Sequence, residues 1–203
     1  MPSHHLTLRS AVSALTVAGI VAVTAPAAGA ESAPHPRAAA SQVKLEFVKN
    51  AKDPSNSILR VYDGKKLVAK YRAGSGLGTA ADTGDKKKRY RNDCASSAGW
   101  LPNGTYKPTT FEINRNGDIK GYAIGLPDTW CSKRTVKRTA LFIHSEMTKD
   151  RKQGPPHGAD SPQRWDGPRD YKSNGCIKLH PSHIAALFSY MNHHGRAVSL
   201  TVR

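Results

Sequence analysis

Short segments in which apolar and polar residues alternate recur along the chain from Val43 onwards. A period of two places alternate side chains on one buried face of a sheet, so each segment predicts a β-strand. Asp63-Gly64 separates two of these segments and is typical of a hairpin turn. The predicted strands cover residues 43–48, 58–62, 67–71, 105–107, 109–114, 119–124 and 197–202. The pattern therefore predicts a mainly β fold.

One segment near the C-terminus has helical periodicity instead. Pro181 is tolerated in the first turn of a helix, and Gly195 supplies the stop. We therefore expect a single helix between them. Its apolar face consists of Ile184, Leu187, Phe188 and Met191.

Residues 139–144 (TALFIH) form a continuous apolar run, which is typical of a buried central strand. Two long stretches have little periodicity. Residues 74–103 are polar and rich in glycine, and they predict an extended loop held by Cys94. Residues 145–172 contain four prolines. A loop of this length in a compact domain is usually functional or mobile.

The N-terminus has the three-part order of a secretory signal peptide. Residues 1–10 are polar with Arg9, residues 11–25 are apolar, and Ala28-Gly29-Ala30 is a small-x-small cleavage site. The apolar part is short for a spanning helix, which needs about 20 residues. A membrane anchor is the less favoured alternative, and no stable membrane insertion is expected after cleavage. Residues 31–42 predict a flexible leader, and 43–203 one domain.

The three cysteines of the chain are Cys94, Cys131 and Cys176. In an oxidising compartment an odd cysteine is either intermolecular or a working thiol. Cys94 and Cys131 lie in polar, turn-rich sequence, whereas Cys176 lies in a glycine-flanked turn between apolar residues. We therefore favour a Cys94–Cys131 disulfide and a free Cys176, and the other pairings remain open.

The segment 171–179 (YKSNGCIKL) is the strongest candidate for chemistry. Glycine before the cysteine permits backbone conformations that aim amide N–H groups at a ligand, so Gly175 and Cys176 are candidates for an oxyanion hole. A nucleophilic thiol also needs a nearby base or cation, and histidine is the usual one.

Two histidines compete for the role of base. His144 ends the buried strand on a fixed backbone, and Ser145 could orient its ring through a carbonyl or a hydroxyl. His157 lies in a loop rich in proline and glycine (GPPHGAD) and would be poorly held. Preorganised geometry favours His144. The histidines of the terminal helix suit surface or capping roles.

From Leu141 onwards the chain resembles the L,D-transpeptidase catalytic domain, also called the YkuD-type domain. The resemblance rests on the strand LFIHS, the turn Ser173-Asn174-Gly175-Cys176, the following Ile-Lys-Leu and a helix that begins near Ser182. Upstream, the hairpin at 58–71 and the segment 101–106 (LPNGTY) are similar to the opening elements of the family. The resemblance implies an L,D-transpeptidase-like β-sandwich with one C-terminal-region helix and long loops.

Three features depart from the pattern of that family. Asn174 replaces the second histidine of the turn, and Lys178 stands where arginine is usual. The loop between His144 and Ser173 holds 28 residues, whereas the family usually has a number in the mid-teens, a spacing that His157 satisfies. We favour His144 because a loop can lengthen freely. The longer loop carries Arg164 and Arg169, which are candidates for a substrate clamp or belong to a plain insertion.

The resemblance implies that His144 takes the thiol proton of Cys176 and that the thiolate attacks a peptidoglycan stem tetrapeptide. A thioester forms, and the amine of a second stem peptide resolves it into a 3→3 cross-link. Ser173, Asn174, Lys178, Arg164 and Arg169 are the expected substrate contacts. No metal or organic cofactor is required. The alternatives are a hydrolytic L,D-carboxypeptidase and a catalytically silent wall-binding protein on the same scaffold.

The charge balance bears on partners. Lys and Arg number 31 against 15 Asp and Glu, which gives a net charge of +16. A basic surface attracts polyanions. The sequence contains no zinc-finger spacing, aromatic RNA-binding strand or basic heptads, so no nucleic acid is expected. Lys86-Lys87-Lys88-Arg89 is interpreted as a solvated loop. Anionic wall polymers and peptidoglycan stem peptides are the expected partners of a monomer.

Overall fold

The computed structural model describes residues 42–77 and 91–203. The predicted signal peptide (1–30), nearly all of the predicted leader (31–42) and the basic run 86–89 lie outside the described residues. Within the described ranges, no helix combines the length and the apolar character that crossing a bilayer requires.

Eleven strands and one α-helix make up the regular structure of the described residues. The strands are β1 (Val43–Val48), β2 (Ser57–Asp63), β3 (Lys66–Gly74), β4 (Gly104–Tyr106), β5 (Thr110–Asn116), β6 (Lys120–Leu126), β7 (Thr129–Trp130), β8 (Lys137–Arg138), β9 (Leu141–His144), β10 (Ile177–Leu179) and β11 (Ser199–Val202). The helix α1 spans Pro181–His194, and short 3₁₀ helices span Pro54–Asn56 and Pro168–Tyr171. The predicted mainly β class with one C-terminal-region helix is confirmed.

Nine of the strands form one hydrogen-bonded sheet in the order β4-β11-β1-β2-β3-β10-β9-β6-β5, and β7 and β8 form a separate pair. β10 pairs with β3 antiparallel and with β9 parallel. β9 pairs with β6 antiparallel on its other side. The short strand that follows the candidate nucleophile is therefore held between two neighbours.

Alternation along the strands builds the core. β1 buries Val43, Leu45 and Phe47, while the residues between them are exposed or half-buried. β9 and β10 contribute Ile143 and Ile177, both fully buried in the same core cluster. Because successive side chains of a strand point to opposite faces, the residues between these apolar positions face away from the core.

The helix α1 covers part of this core. Its buried residues are the predicted apolar face of Ile184, Leu187, Phe188 and Met191. The ring of His180 accepts a hydrogen bond from the Ser182 amide and caps the N-terminus, and the Gly195 amide donates to the Met191 carbonyl at the other end. Both predicted helix ends are confirmed within one residue.

The predicted central strand begins later than the apolar run suggested. Residues 139–144 were expected to be continuous, but β9 starts at Leu141. Ala140 has a φ of +52°, a left-handed conformation that L-residues adopt rarely and that interrupts a strand. The predicted long loop at 145–172 contains no strand and only the short 3₁₀ helix at its end. The other predicted loop, 74–103, lies partly outside the described residues.

A disulfide joins Cys94 to Cys131, and Cys176 is free. The favoured pairing is therefore present. The disulfide ties the loop that precedes β4 to the start of the β7–β8 connection. Asp93 reinforces this link, because its carboxylate accepts hydrogen bonds at 2.8 Å from both the amide and the hydroxyl of Ser132.

We expect the double variant Cys94→Ala/Cys131→Ala to lose about 3–4 kcal/mol of unfolding free energy. A crosslink across 37 residues removes that much loop entropy from the unfolded chain. Guanidinium denaturation of both proteins measures the loss. Cys176→Ala is the control and should cost much less, since it removes no crosslink. Equal stability of the double variant and the parent chain would contradict the prediction.

Candidate active site

The parallel pairing of β9 with β10 brings the predicted base and the predicted nucleophile to one face of the sheet. Lys178 is the register partner of His144, and Ile177 is the partner of Ile143. Cys176 lies immediately before β10, two residues from Lys178. Because side chains two residues apart on a strand share a face, Cys176 and His144 lie on the side opposite the core.

That face forms the wall of a pocket with a volume of about 580 Å³. Cys176, His144 and Ser145 all line it, together with Phe142 and Ser173. A second cavity, between β5 and the C-terminal part of α1, has about 50 Å³. The large pocket is therefore the candidate active site.

The thiol of Cys176 lies against the start of β9. Its sulfur is 3.6 Å from the Ala140 carbonyl oxygen, to which the thiol donates. Burial raises the pKa of the Cys176 thiol to about 11, while hydrogen bonding from the Phe142 amide and the charges of Arg138 and Lys178 act in the opposite direction. At neutral pH the resting sulfur therefore carries its proton.

The ring of His144 is buried, with 8% of the residue exposed. Its Nδ1 lies 3.2 Å from the carbonyl oxygen of Ser145. A carbonyl only accepts, so Nδ1 carries the hydrogen and Nε2 is the basic nitrogen. Burial lowers the pKa of His144 to about 3, and the nearby Lys178 charge adds to this effect. Both shifts therefore favour the neutral forms of the two side chains at neutral pH.

Of the two alternatives for Ser145, the carbonyl contacts the ring. The hydroxyl of Ser145 is buried and has no hydrogen-bond partner among the described residues. The competing histidine, His157, is exposed on its loop and does not line the pocket. The geometry therefore favours His144 as the base.

The nucleophile turn is organised by the hydroxyl of Ser173. It donates to the Cys176 carbonyl at 2.6 Å and accepts from the amides of Gly76 and Gly175, each at 3.3 Å. Ser75 adds a hydrogen bond from its hydroxyl to the Gly175 carbonyl at 3.2 Å. Ser173 was predicted as a substrate contact, but its hydroxyl forms hydrogen bonds within the turn instead. The Gly175 amide, predicted for the oxyanion hole, is engaged in the same way.

Lys178, which we predicted as a substrate contact, lies in a salt bridge with Glu146. Both side chains are nearly buried, with 10% and 11% exposed. Burial raises the pKa of Glu146 to about 7 despite the attraction of Lys178, and the carboxylates of Asp170 and Asp160 add to the rise. The charge that we expected to meet a substrate carboxylate is therefore paired with Glu146 in the wall of the pocket.

The same three acids could hold a metal ion by distance, since ligand oxygens of Glu146, Asp160 and Asp170 lie within 4.8 Å of one another. The ammonium of Lys178 already contacts the Glu146 carboxylate. A divalent cation would have to displace that ammonium. The chain's own cation therefore occupies this position.

The predicted clamp residues Arg164 and Arg169 do not line the pocket. Arg164 pairs with Asp166 at 3.3 Å and donates to the Gly154 carbonyl at 3.2 Å. Asn174 does line the pocket and is exposed. The cations of the pocket wall that sequence reasoning missed are Arg115, Lys120 and Lys172. Lys172 adjoins the turn, a position that could have suggested it.

Arg138 was also missed. It is 4% exposed, lies behind the turn and donates to the Asn174 carbonyl at 3.1 Å. It belongs to the two-residue strand β8, and an isolated arginine in a short polar stretch gives no sequence signal of burial.

Residues 51–199 match the family model described as YkuD, the L,D-transpeptidase catalytic domain. The match covers most of the chain, which therefore belongs to the YkuD family. The predicted resemblance is confirmed, and the family is one of acyltransferases of the L,D-transpeptidase type.

Three solved structures are similar at low identity. L,D-transpeptidase 1 of Mycobacterium tuberculosis is 13% identical, with 80% of this chain and 62% of that chain covered and a TM-score of 0.39. The L,D-transpeptidase from Mycobacterium smegmatis is 16% identical (79% and 59% covered, TM-score 0.40), and Bdellovibrio bacteriovorus Bd1075 is 12% identical (80% and 48% covered, TM-score 0.42). This chain therefore spans about half to three fifths of their length. No curated protein sequence matches it.

We expect alkylation of Cys176 by iodoacetamide to accelerate about ten-fold per pH unit between pH 6 and 9, because only the thiolate reacts and its population follows a raised pKa. The Cys94–Cys131 disulfide leaves Cys176 as the modified residue, and Cys176→Ala is the blank. Intact-mass spectrometry gives the rates. A rate that stays constant from pH 5 to 8 would instead indicate a thiolate–imidazolium pair.

We expect Lys178→Met to destabilise the fold more at pH 8 than at pH 5. The folded pKa of Glu146 is raised above its unfolded value, so the proton it holds stabilises the folded state at low pH and this contribution is lost as pH rises through about 7. Without the ammonium, a buried carboxylate is left unpaired at pH 8, at a cost of about 3–5 kcal/mol.

Guanidinium denaturation at the two pH values measures this difference. The double variant Lys178→Met/Glu146→Leu is the matched control, because it removes both charges and should lose the pH dependence. An equal loss for Lys178→Met at pH 5 and pH 8 would show that the pair is not coupled in this way.

Proposed function

We propose that this protein is a secreted peptidoglycan L,D-transpeptidase that forms 3→3 cross-links through a thioester on Cys176. The observation that carries the proposal is the free thiol of Cys176 in one pocket with the strand-borne His144, in a chain of the YkuD family. The other cysteines are paired, so Cys176 is the thiol available for chemistry.

In the first step, Nε2 of His144 accepts the thiol proton as the sulfur attacks the carbonyl carbon of the residue that precedes the terminal D-amino acid. The neutral resting pair supports proton transfer during attack rather than a preformed ion pair. The new S–C bond gives a tetrahedral oxyanion. When the C–N bond breaks, His144 returns the proton to the departing amine, and a thioester remains on Cys176.

The oxyanion needs donors in fixed positions. The Cys176 amide is the first candidate. The Gly175 amide joins it only by leaving the Ser173 hydroxyl, a weak bond of 3.3 Å. The side-chain amide of Asn174, which lines the pocket in place of the family's second histidine, is positioned to contact substrate.

In the second step, an amine from another stem peptide attacks the thioester carbonyl. The new C–N bond forms and the C–S bond breaks, while His144 accepts the amine proton and returns it to the departing sulfur. The pocket wall carries charges of both signs that suit these partners. Lys120 and Lys172 suit the carboxylates of a donor peptide, and Asp118 and Asp160 suit the ammonium of an acceptor. Water in place of the amine would give the carboxypeptidase reaction instead.

Export and the wall are proposed as the location. The signal-peptide pattern of residues 1–30 supports export. The Cys94–Cys131 disulfide supports an oxidising compartment, because disulfides are rare in reducing cytosol. Anionic wall polymers are proposed partners of the basic chain, which we take to act as a monomer without a cofactor.

The test is incubation with a disaccharide-tetrapeptide followed by mass spectrometry. We expect a cross-linked dimer with loss of one D-amino acid, and no product from Cys176→Ala. His144→Ala should lose at least about 100-fold in rate, as removal of a general base does. His157→Ala is the matched control and should stay within two-fold of the parent enzyme.

Each other product has a defined meaning. Tripeptide without dimer assigns the carboxypeptidase reaction. A loss confined to His157→Ala would overturn the assignment of the base. If no product forms and the wall is bound equally by the parent protein and Cys176→Ala, the protein is a silent binder on the same scaffold.

A further inference from the structure

Arg138 is a buried cation without a contacting carboxylate. It takes part in none of the salt bridges between described residues (42–77 and 91–203). Its guanidinium instead donates hydrogen bonds to four backbone carbonyls. These belong to Asp93, Gly99 (3.1 Å), Trp100 (3.3 Å) and Asn174 (3.1 Å). Carbonyl dipoles satisfy its N–H donors but leave its net charge uncompensated.

Asp93, whose carbonyl is one of the four, has a carboxylate that is hydrogen-bonded to another residue. The Asp93 carboxylate accepts from the amide and the hydroxyl of Ser132. It attracts Arg138 at longer range, while burial lowers the pKa of Arg138. The positive charge of Arg138 is therefore retained at all ordinary pH values but held in a site of low polarity, where its field is strong.

The backbone of the nucleophile turn is shaped around this guanidinium. A Cβ on Gly175 would lie 2.0 Å from Nη2 of Arg138 and 3.2 Å from the Gly99 carbonyl oxygen. Gly175 also has a φ of +124°, which favours glycine. Only a residue without a side chain lets the guanidinium lie under the peptide that carries the Cys176 amide.

We propose that Arg138 is a positioning residue for the nucleophile: it fixes the Ser173–Cys176 turn from behind and supplies the positive charge that stabilises the Cys176 thiolate as it forms. It does not line the pocket and does not touch substrate. The inference deepens the proposed function, but it concerns thiol chemistry that can be measured without peptidoglycan.

The other charges around the sulfur are less able than Arg138 to stabilise the Cys176 thiolate. Lys178, on the strand that follows the nucleophile, is held by Glu146. His144, on β9, is neutral at rest, and Lys172 and Asp160 lie in the wall of the pocket. Among the charges that favour the thiolate, that of Arg138 acts more strongly than that of Lys178.

The experiment compares alkylation of Cys176 by iodoacetamide in Arg138→Met, Arg138→Lys and the parent chain between pH 6 and 9. The thiolate sulfur displaces iodide, so the rate below the thiol pKa reports the thiolate population. We expect Arg138→Met to be at least about ten-fold slower at every pH, which corresponds to a shift of one pKa unit. Arg138→Lys keeps the charge and should lose less than three-fold.

Arg60→Met is the matched control. It also removes one positive charge, but from an ion pair with Glu46 on strands β1 and β2, and its rates should match the parent within two-fold. Near-ultraviolet circular dichroism checks that each variant is folded. A rate for Arg138→Met within two-fold of the parent would overturn the proposal. So would an equal loss in Arg138→Lys, because a merely structural role makes no distinction by charge.

If Arg138→Met does not fold, the variant Gly175→Ala tests the proposal instead. Its methyl group would displace the guanidinium while the charge stays in the chain, and we expect a clear loss of alkylation rate. An unchanged rate would contradict the proposal. None of these outcomes depends on cross-linking, so failure of the transpeptidase assay and failure of this proposal are separate results.

Discussion

The parallel pairing of β9 with β10 is the interaction on which the candidate site depends. Ile143 and Ile177 are register partners and are fully buried, so the apolar core fixes how the two strands align. A slip of one residue would turn Ile143 to the pocket and His144 into the core, which makes the register strongly determined. The same packing that stabilises the sheet therefore presents the imidazole and the thiol on its other face.

Buried charges in and behind the pocket wall define its electrostatics. Lys178 is matched by Glu146, whereas Arg138 meets only carbonyl oxygens. Interactions in such a low-dielectric region are stronger than in water. One cation is thus neutralised beside His144, and another keeps its field behind the thiol. The two buried cations therefore have different electrostatic environments.

Much of this arrangement could be predicted from the sequence because it follows local rules. Period-two patterning located the long strands, the proline and the glycine located the helix, and residue context favoured the disulfide of Cys94 with Cys131. The strands β7, β8 and β10 have two or three residues, too few to show a period. Their existence depends on tertiary pairing.

The charged contacts could not be predicted for a related reason. Lys178 was expected to meet substrate, yet it pairs with Glu146, a residue 32 positions away in the chain. Arg138 lies 36 positions from the carbonyl it holds at Asn174. Sequence patterns report periodicity and turn chemistry, but they do not report which distant carboxylate or carbonyl will satisfy a buried cation. The polar framework of the site therefore emerged only from the fold.

A neutral resting thiol is consistent with a disulfide and the proposed nucleophile Cys176 in one chain. Susceptibility to oxidation follows the thiolate rather than the thiol. Because burial raises the pKa of the Cys176 thiol to about 11, the neutral thiol predominates at pH 7. An oxidising compartment that forms the Cys94–Cys131 bond would therefore attack Cys176 slowly. Since His144 is a neutral base in the same pocket, the thiolate need form only when an acyl carbon is in place to receive it.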